Sequence, residues 1–243
     1  MSTFAERLAI IEERIAAACR RAGRSRDEVR LMAVSKTHPA EALEEAVAAG
    51  VRLFGENRVQ EFERKKESLT TAVRAGAERE GIEVHLIGHL QSNKTAKAAK
   101  LFSGVDTVDS VKVAERLSEA ALALGVRLPI LVEIKLSGEA AKTGASPDSD
   151  ELRMLFERAA DLEGIEVRGV MTVPPLDDNP ETARACFRQL RSLKEGWAQT
   201  YPKLSFEELS MGMSGDFEIG IEEGSTLVRI GTALFGKREY PVA

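Results

Sequence analysis

Two periodicities alternate along this chain. Near its start Leu8, Ile11 and Ile15 recur at helical spacing behind Thr3, a side chain suited to an N-cap, and Gly23 suits the stop; residues 1–24 therefore read as one leading amphipathic helix. From Leu31 onward short runs of Val, Ile and Leu alternate with longer amphipathic stretches, the signature of repeated βαβ units around a parallel sheet. Strands are predicted at Arg30–Ser35, Arg52–Phe54, Glu83–Ile87, Thr107–Asp109, Ile130–Leu136, Glu166–Thr172, Phe206–Ser210 and Thr226–Ile230. Pro39 opens one helix that Gly50 ends, and Asn179 followed by Pro180 starts another. Eight such units over roughly 200 residues suit a closed barrel better than an open doubly wound sheet. The expected fold is α/β, a single (β/α)8 TIM-type barrel over residues 1–243, with a polar loop from Gly138 to Asp150 at the rim after the fifth strand.

Composition removes several alternatives. With 43% hydrophobic and 30% charged residues, the 243-residue chain has the makeup of a folded domain with one large core. A net charge of −5 and a pI near 5.5 repel a polyanion, so nucleic acid is not an expected partner. The first residues mix Glu6, Arg7, Glu12, Glu13 and Arg14 with apolar ones, which suits neither a signal peptide nor a membrane span. Cys19 and Cys186 have no disulfide or metal spacing, and a cytoplasmic protein is expected. Nothing in the pattern predicts an oligomer, so the expectation is a monomer.

Candidate chemistry gathers at the ends of the predicted strands. Lys36 follows Leu31-Met32-Ala33-Val34-Ser35, so its amine emerges at the C-terminal end of the first strand, where barrel enzymes keep their sites. Alone it reads as a lysine reaching solvent; in a partly dry pocket its neutral amine attacks an aldehyde to give a Schiff base. The tail of the chain favours the second reading. Ser210-Met211-Gly212-Met213-Ser214 is expected to follow the seventh strand, with Ser214 capping a helix, and Gly231-Thr232 to follow the eighth. Barrels often place a phosphate between those two loops. Arg229 alternates onto the face of Leu227 and Gly231; if that face looks inward, the guanidinium either donates to a pyridine nitrogen or pairs with Glu222 or Glu223. Asn57, after the second strand, either donates to a ligand or, the simpler reading, caps the next helix. His85 and His89 stand four apart where strand gives way to turn and lack a third ligand, so no metal site is expected. Amine, phosphate cradle and guanidinium together predict pyridoxal 5′-phosphate as a Schiff base on Lys36.

The residues also resemble a known family, the pyridoxal phosphate homeostasis proteins, also called the proline synthase co-transcribed family. The likeness is carried by Ala33-Val34-Ser35-Lys36-Thr37, by Phe54-Gly55-Glu56-Asn57-Arg58-Val59-Gln60-Glu61, by the segment from His85 to Lys94 and by Gly169-Val170-Met171-Thr172. Most specific are the segments from Leu209 to Phe217 and from Gly224 to Thr232. Val84 stands where many members have Trp, and Val170 where Leu is common. The resemblance implies a fold type III barrel similar to the N-terminal domain of alanine racemase, with the cofactor on Lys36. It implies phosphate contacts at Ser210, Met211, Gly212, Gly231 and Thr232, Arg229 at the ring nitrogen, and Asn57 as a pocket position. It further implies a role in vitamin B6 balance, holding the cofactor and handing it on to apo PLP-dependent enzymes. The alternative is a weak amino-acid racemase, which needs a second acid/base, typically a Tyr from a C-terminal β domain of a partner subunit. This chain has no length for that domain, and its tyrosines, Tyr201 and Tyr240, fall in a late loop and the tail.

Overall fold

The computed structural model describes residues 2–70, 81–136 and 143–236. Its strands are β1 (Arg30–Val34), β2 (Leu53–Glu56), β3 (Glu83–Leu86), β4 (Gly104–Val108), β5 (Leu128–Glu133), β6 (Ile165–Met171), β7 (Glu208–Met213) and β8 (Leu227–Ile230). All eight pair in sequence order, and β8 returns to pair in parallel with β1, closing the expected barrel. The described helices are α1 (Phe4–Arg21), α2 (Ala40–Ala48), α3 (Val59–Ser68), α4 (Thr95–Leu101), α5 (Val111–Ala123), α6 (Asp150–Ala159), α7 (Pro180–Thr200), α8 (Phe217–Glu222) and α9 (Thr232–Phe235).

Side-chain alternation separates two cores. Met32, Leu53, Leu131, Met171 and Leu227 come from five strands and pack on one another, which requires them to face the barrel interior. The opposite strand faces pack under the helices. Phe4, Ile11 and Ile15 of α1 bury against Phe217, Ile221 and Leu234, so the leading helix lies over α8 and α9, beside the seam where β8 meets β1. Thr3 forms the expected cap, accepting the Glu6 N–H at 3.2 Å while the Glu6 carboxylate accepts the Thr3 N–H at 2.9 Å. Asn179 likewise accepts the Glu181 N–H at 3.1 Å to start α7.

Strand limits differ from expectation where glycine and polar residues hide the pattern. β4 begins at Gly104 rather than Thr107; a Cβ on Gly104 would lie 2.6 Å from the His85 ring, so the packing of β3 against β4 requires the glycine. β5 spans Leu128–Glu133 instead of Ile130–Leu136. β7 begins at Glu208 and runs on through Ser210-Met211-Gly212 to Met213, with a register shift against β8 between Ser210 and Met213. Met211, Gly212 and Met213, expected after the strand, belong to it. Of the predicted rim loop, residues 138–142 lie outside the described residues; Ala145 bridges to Ile134.

Candidate functional site

A cavity of about 250 Å3 opens at the C-terminal end of β1, β7 and β8, lined by Lys36, Arg229, Gly231 and Thr232 together with Val34, His38, Ile87, Met213, Ser214 and Gly215. Four of the predicted site residues therefore meet there, from opposite ends of the chain.

Lys36 is half-buried directly after β1, and the backbone on both sides of it is fixed. On one side Ser35 donates its hydroxyl to Glu56 Oε1 at 2.7 Å, and its carbonyl accepts from Lys65 Nζ at 2.8 Å. Lys65 also pairs with Glu56 Oε1 at 2.5 Å, with the two side chains 5% and 0% exposed. Burial pushes the Glu56 carboxyl above the ordinary range, and the Lys65 charge opposes that shift. On the other side Thr37 has a φ of 65°, a left-handed conformation costly for a β-branched residue, and its N–H donates to Glu61 Oε1 at 2.5 Å. The chain thus turns sharply at the residue after the lysine.

Arg229 is buried, as inward alternation on β8 requires. Its Nη1 donates to Ser210 Oγ at 2.6 Å and its Nη2 to the Thr172 carbonyl at 2.9 Å. Burial pushes this guanidinium below the usual arginine range, opposed by the charges of Asp106, Asp216 and Glu133. The alternative pairing with Glu222 or Glu223 is excluded: Arg184 Nη2 reaches Glu222 at 2.9 Å, and Arg184 and Arg188 reach Glu223 at 3.2 and 3.1 Å.

Ser214 does not cap α8. Asp216 stands at that N-cap and accepts the Met213 N–H at 2.6 Å, while Ser214 Oγ accepts from the N–H groups of Gly231 and Ala233 at 3.3 and 3.4 Å. The hydroxyl therefore lies across the gap between the loops after β7 and β8. Ser210, Met211 and Gly212 sit one step back from the cavity: Ser210 supports Arg229, the Met211 side chain is in the outer core, and Gly212 has a φ of 98° with Phe217 Cα only 2.8 Å from where a Cβ would stand. Sequence reading missed His38, Ile87, Met213 and Gly215 as wall residues; His38, two residues after the lysine, stacks on Phe235 with ring centroids 5.0 Å apart.

Asn57 lies elsewhere. It does not cap α3, whose N-cap is Arg58; it lines an adjoining cavity of about 310 Å3 with Gly88, His89, Thr107, Glu133 and Lys135, among others. Ile87 stands in the wall of both cavities. The two histidines bind different carboxylates: His85 Nδ1 lies 2.9 Å from Asp106 Oδ1 inside the barrel, and His89 Nδ1 lies 3.5 Å from Asp109. Among the described residues no group of His, Cys, Asp or Glu is arranged for a metal, and no helix is long and apolar enough to cross a membrane. Tyr201 packs on Phe156 in the outer core, and Tyr240 lies outside the described residues.

A lysine at the end of the first strand, a guanidinium inside the eighth and hydrogen-bond donors between the last two loops define a β/α barrel of the alanine racemase kind. The family model described as alanine racemase, N-terminal domain, matches residues 7–239. The pyridoxal phosphate homeostasis protein of Aquifex aeolicus is 40% identical over 235 residues, 97% of this chain and 98% of that one. That of Vibrio cholerae is 42% identical over 243 residues, 99% and 98% of the two chains. Among solved structures, PipY of Synechococcus elongatus with PLP bound is 37% identical with a TM-score of 0.82, covering 96% of this chain and 100% of that one. Alanine racemase of Clostridium difficile, 15% identical with a TM-score of 0.71 over 98% of this chain and 58% of that one, shares the fold. The chain belongs to the alanine racemase N-terminal domain family and, within it, to the pyridoxal phosphate homeostasis proteins.

Proposed function

We propose that this protein binds pyridoxal 5′-phosphate in the first cavity as a Schiff base on Lys36, serves intracellular vitamin B6 homeostasis in the cytoplasm, and hands the cofactor on to apo PLP-dependent enzymes. The observation that carries this reading is the convergence on one cavity of an amine, a buried guanidinium and the Ser214, Gly231 and Thr232 donors. The names of the relatives and the PLP-bound PipY structure support it.

The donor set fits the group. A phosphate oxygen is a stronger acceptor than a hydroxyl, so it competes with Ser214 Oγ for the N–H groups of Gly231 and Ala233. Arg229, held by Ser210 and Thr172, would offer the ring nitrogen a donor that does not give up its proton, which would favour an unprotonated ring. Met211 and Gly212 form the irregular end of β7 that carries Ser214, and Asn57 contributes from the wall of the adjoining cavity. When bound, the cofactor supplies an electrophilic aldehyde carbon and an electron-withdrawing ring; an unprotonated ring withdraws electrons weakly. Lys36 in this setting tethers rather than turns over. A racemase would need a second acid/base facing Lys36, which the proposed holding role does not.

Borohydride reduction of the purified protein followed by peptide mapping is expected to place the cofactor on Lys36, and Lys36→Ala to abolish both the adduct and the visible absorbance. Unchanged absorbance in Lys36→Ala overturns the assignment. For delivery, an apo-enzyme is expected to gain activity beyond that given by free cofactor at the same concentration; equal activation refutes direct transfer.

A further inference from the structure

The second cavity is built of the opposite chemistry. Glu133, the last residue of β5, is 6% exposed, and Thr143 Oγ1 donates to its Oε1 at 3.0 Å while its Oε2 is buried with no partner. Asn57, from the end of β2, lines the same cavity, and its Oδ1 is also buried with no partner. Buried acceptors normally have donors, so two orphans around one cavity lack the same thing.

The neighbouring donors are committed elsewhere. Thr107 Oγ1, from β4, donates to the Gly88 carbonyl at 2.8 Å. His89, after β3, lies beside Asp109, and Arg229, from β8, is bonded to Ser210 and Thr172. Asp109 adds a like charge facing Glu133, whereas Lys135, two residues beyond it on the same segment, adds a cation to the wall. Burial pushes the Glu133 carboxyl up, opposed by the Thr143 hydrogen bond and the charges of Arg229 and His89. A ligand that satisfies both acceptors and also compensates a buried carboxylate is a cationic N–H donor.

We propose that this cavity binds the ammonium group of a small primary amine, with Glu133 and Asn57 as its acceptors. The site stands beside the cofactor cavity across Ile87 and shares Asn57 with the proposed cofactor pocket. Its chemistry is shared by simple amines and α-amino acids; Lys135 provides the counter-charge that a carboxylate on the same ligand would use.

The test is a saturation-transfer NMR titration of the borohydride-reduced protein, in which no aldehyde is left to react with amines, using methylammonium, glycine and acetate as probes. Methylammonium or glycine is expected to bind saturably, with at least a tenfold loss in Glu133→Gln. Glycine binding well above methylammonium assigns an amino acid, with Lys135→Met removing the difference; equal binding assigns a simple amine. Because ammonium binding favours the ionised carboxylate, affinity should fall as pH drops through the Glu133 titration, and this slope should be absent in Glu133→Gln. Unchanged thermal melting shows that Glu133→Gln is folded, and Asn57→Leu, checked for folding in the same way, is expected to give a second loss. No saturable binding by either amine, binding unchanged in Glu133→Gln, or acetate as the sole ligand overturns the proposal, whatever borohydride reveals at Lys36.

Discussion

The two cavities at the barrel mouth share Ile87 and little else. The one between β7, β8 and β1 presents an amine, a guanidinium and peptide N–H groups, and its buried charge is already hydrogen-bonded by Ser210 and Thr172. The one bounded by β2 to β6 presents one oxygen of a buried carboxyl and an amide oxygen, each left without a donor. A single barrel rim thus offers an anion-accepting half and a cation-accepting half side by side. The difference teaches where to look for function: a satisfied buried charge identifies a built support, and an unsatisfied one identifies what a ligand must bring.

The sharpest way to break the comparison is through the pair that joins the halves. Glu56 and Lys65 meet at the end of β2, next to Asn57, and together hold Ser35, the residue before Lys36: Glu56 accepts its hydroxyl and Lys65 donates to its carbonyl. Lys65→Met leaves a buried carboxylate without its counter-charge and is expected to cost about 3–5 kcal/mol, read from urea unfolding. The sign with pH follows from Glu56. Its folded-state pKa, already raised by burial, rises further without Lys65, so the penalty grows as pH climbs above the unfolded carboxylate range and shrinks in acid. A loss below about 1 kcal/mol, or one independent of pH, would show that the pair is not ionic.

A second break acts from inside the barrel. Asp106 faces both Arg229 and His85, so the proton on His85 sets the charge balance beneath the anion-accepting half. Burial pushes the imidazole down, but Asp106 and Glu83 outweigh it and raise His85 to about 9. A folded pKa above the unfolded value of about 6.5 means that this stabilisation is complete below that pH and is lost as pH rises through about 9. Between about pH 7 and pH 9.5 the protein is expected to lose roughly 1–3 kcal/mol that His85→Gln does not lose. Parallel pH profiles for the two proteins would refute a charged His85.

Much of the first cavity was legible in the chain because strand periodicity and the barrel rule already assign the ends of strands to function. Lys36, Arg229, Gly231 and Thr232 each sit at or beside a run of Val, Ile and Leu whose end could be counted. The limit of β7 was not legible: Met211-Gly212-Met213 looks like a turn because Gly212 serves a bulge, and only the pairing of Met213 with Arg229 on β8 shows that the strand continues. The second cavity was hidden for a different reason. Glu133 falls inside the predicted strand Ile130–Leu136, where it reads as one polar position among apolar ones, and lack of a partner is a property of three-dimensional neighbours. Lys65 gave no signal either, since Lys65-Lys66-Glu67 reads as a solvated helix face until Glu56 is brought beneath it.

The smallest effects sharpen the comparison within the anion-accepting half, where two glycines differ in what requires them. Gly212 has a φ of 98°, and a Cβ there would stand 2.8 Å from Phe217 Cα, backbone that cannot swing away. Gly212→Ala is therefore expected to lower stability by about 1–2 kcal/mol and to disturb the loop carrying Ser214, visible in thermal melting with or without cofactor. At Gly231 the nearest atoms to an added Cβ are the Val34 carbonyl oxygen and Cβ at 3.4 and 3.5 Å, ordinary contact distances. Gly231→Ala should then stay within about 0.5 kcal/mol of the parent in stability. If the cavity wall at Gly231 is shaped for the cofactor phosphate, the same methyl group should weaken cofactor retention during gel filtration while the melting curve of the cofactor-free protein is unchanged. Equal retention with an unchanged melt would move the phosphate away from Gly231, toward the Ser214 and Gly215 side of the cavity.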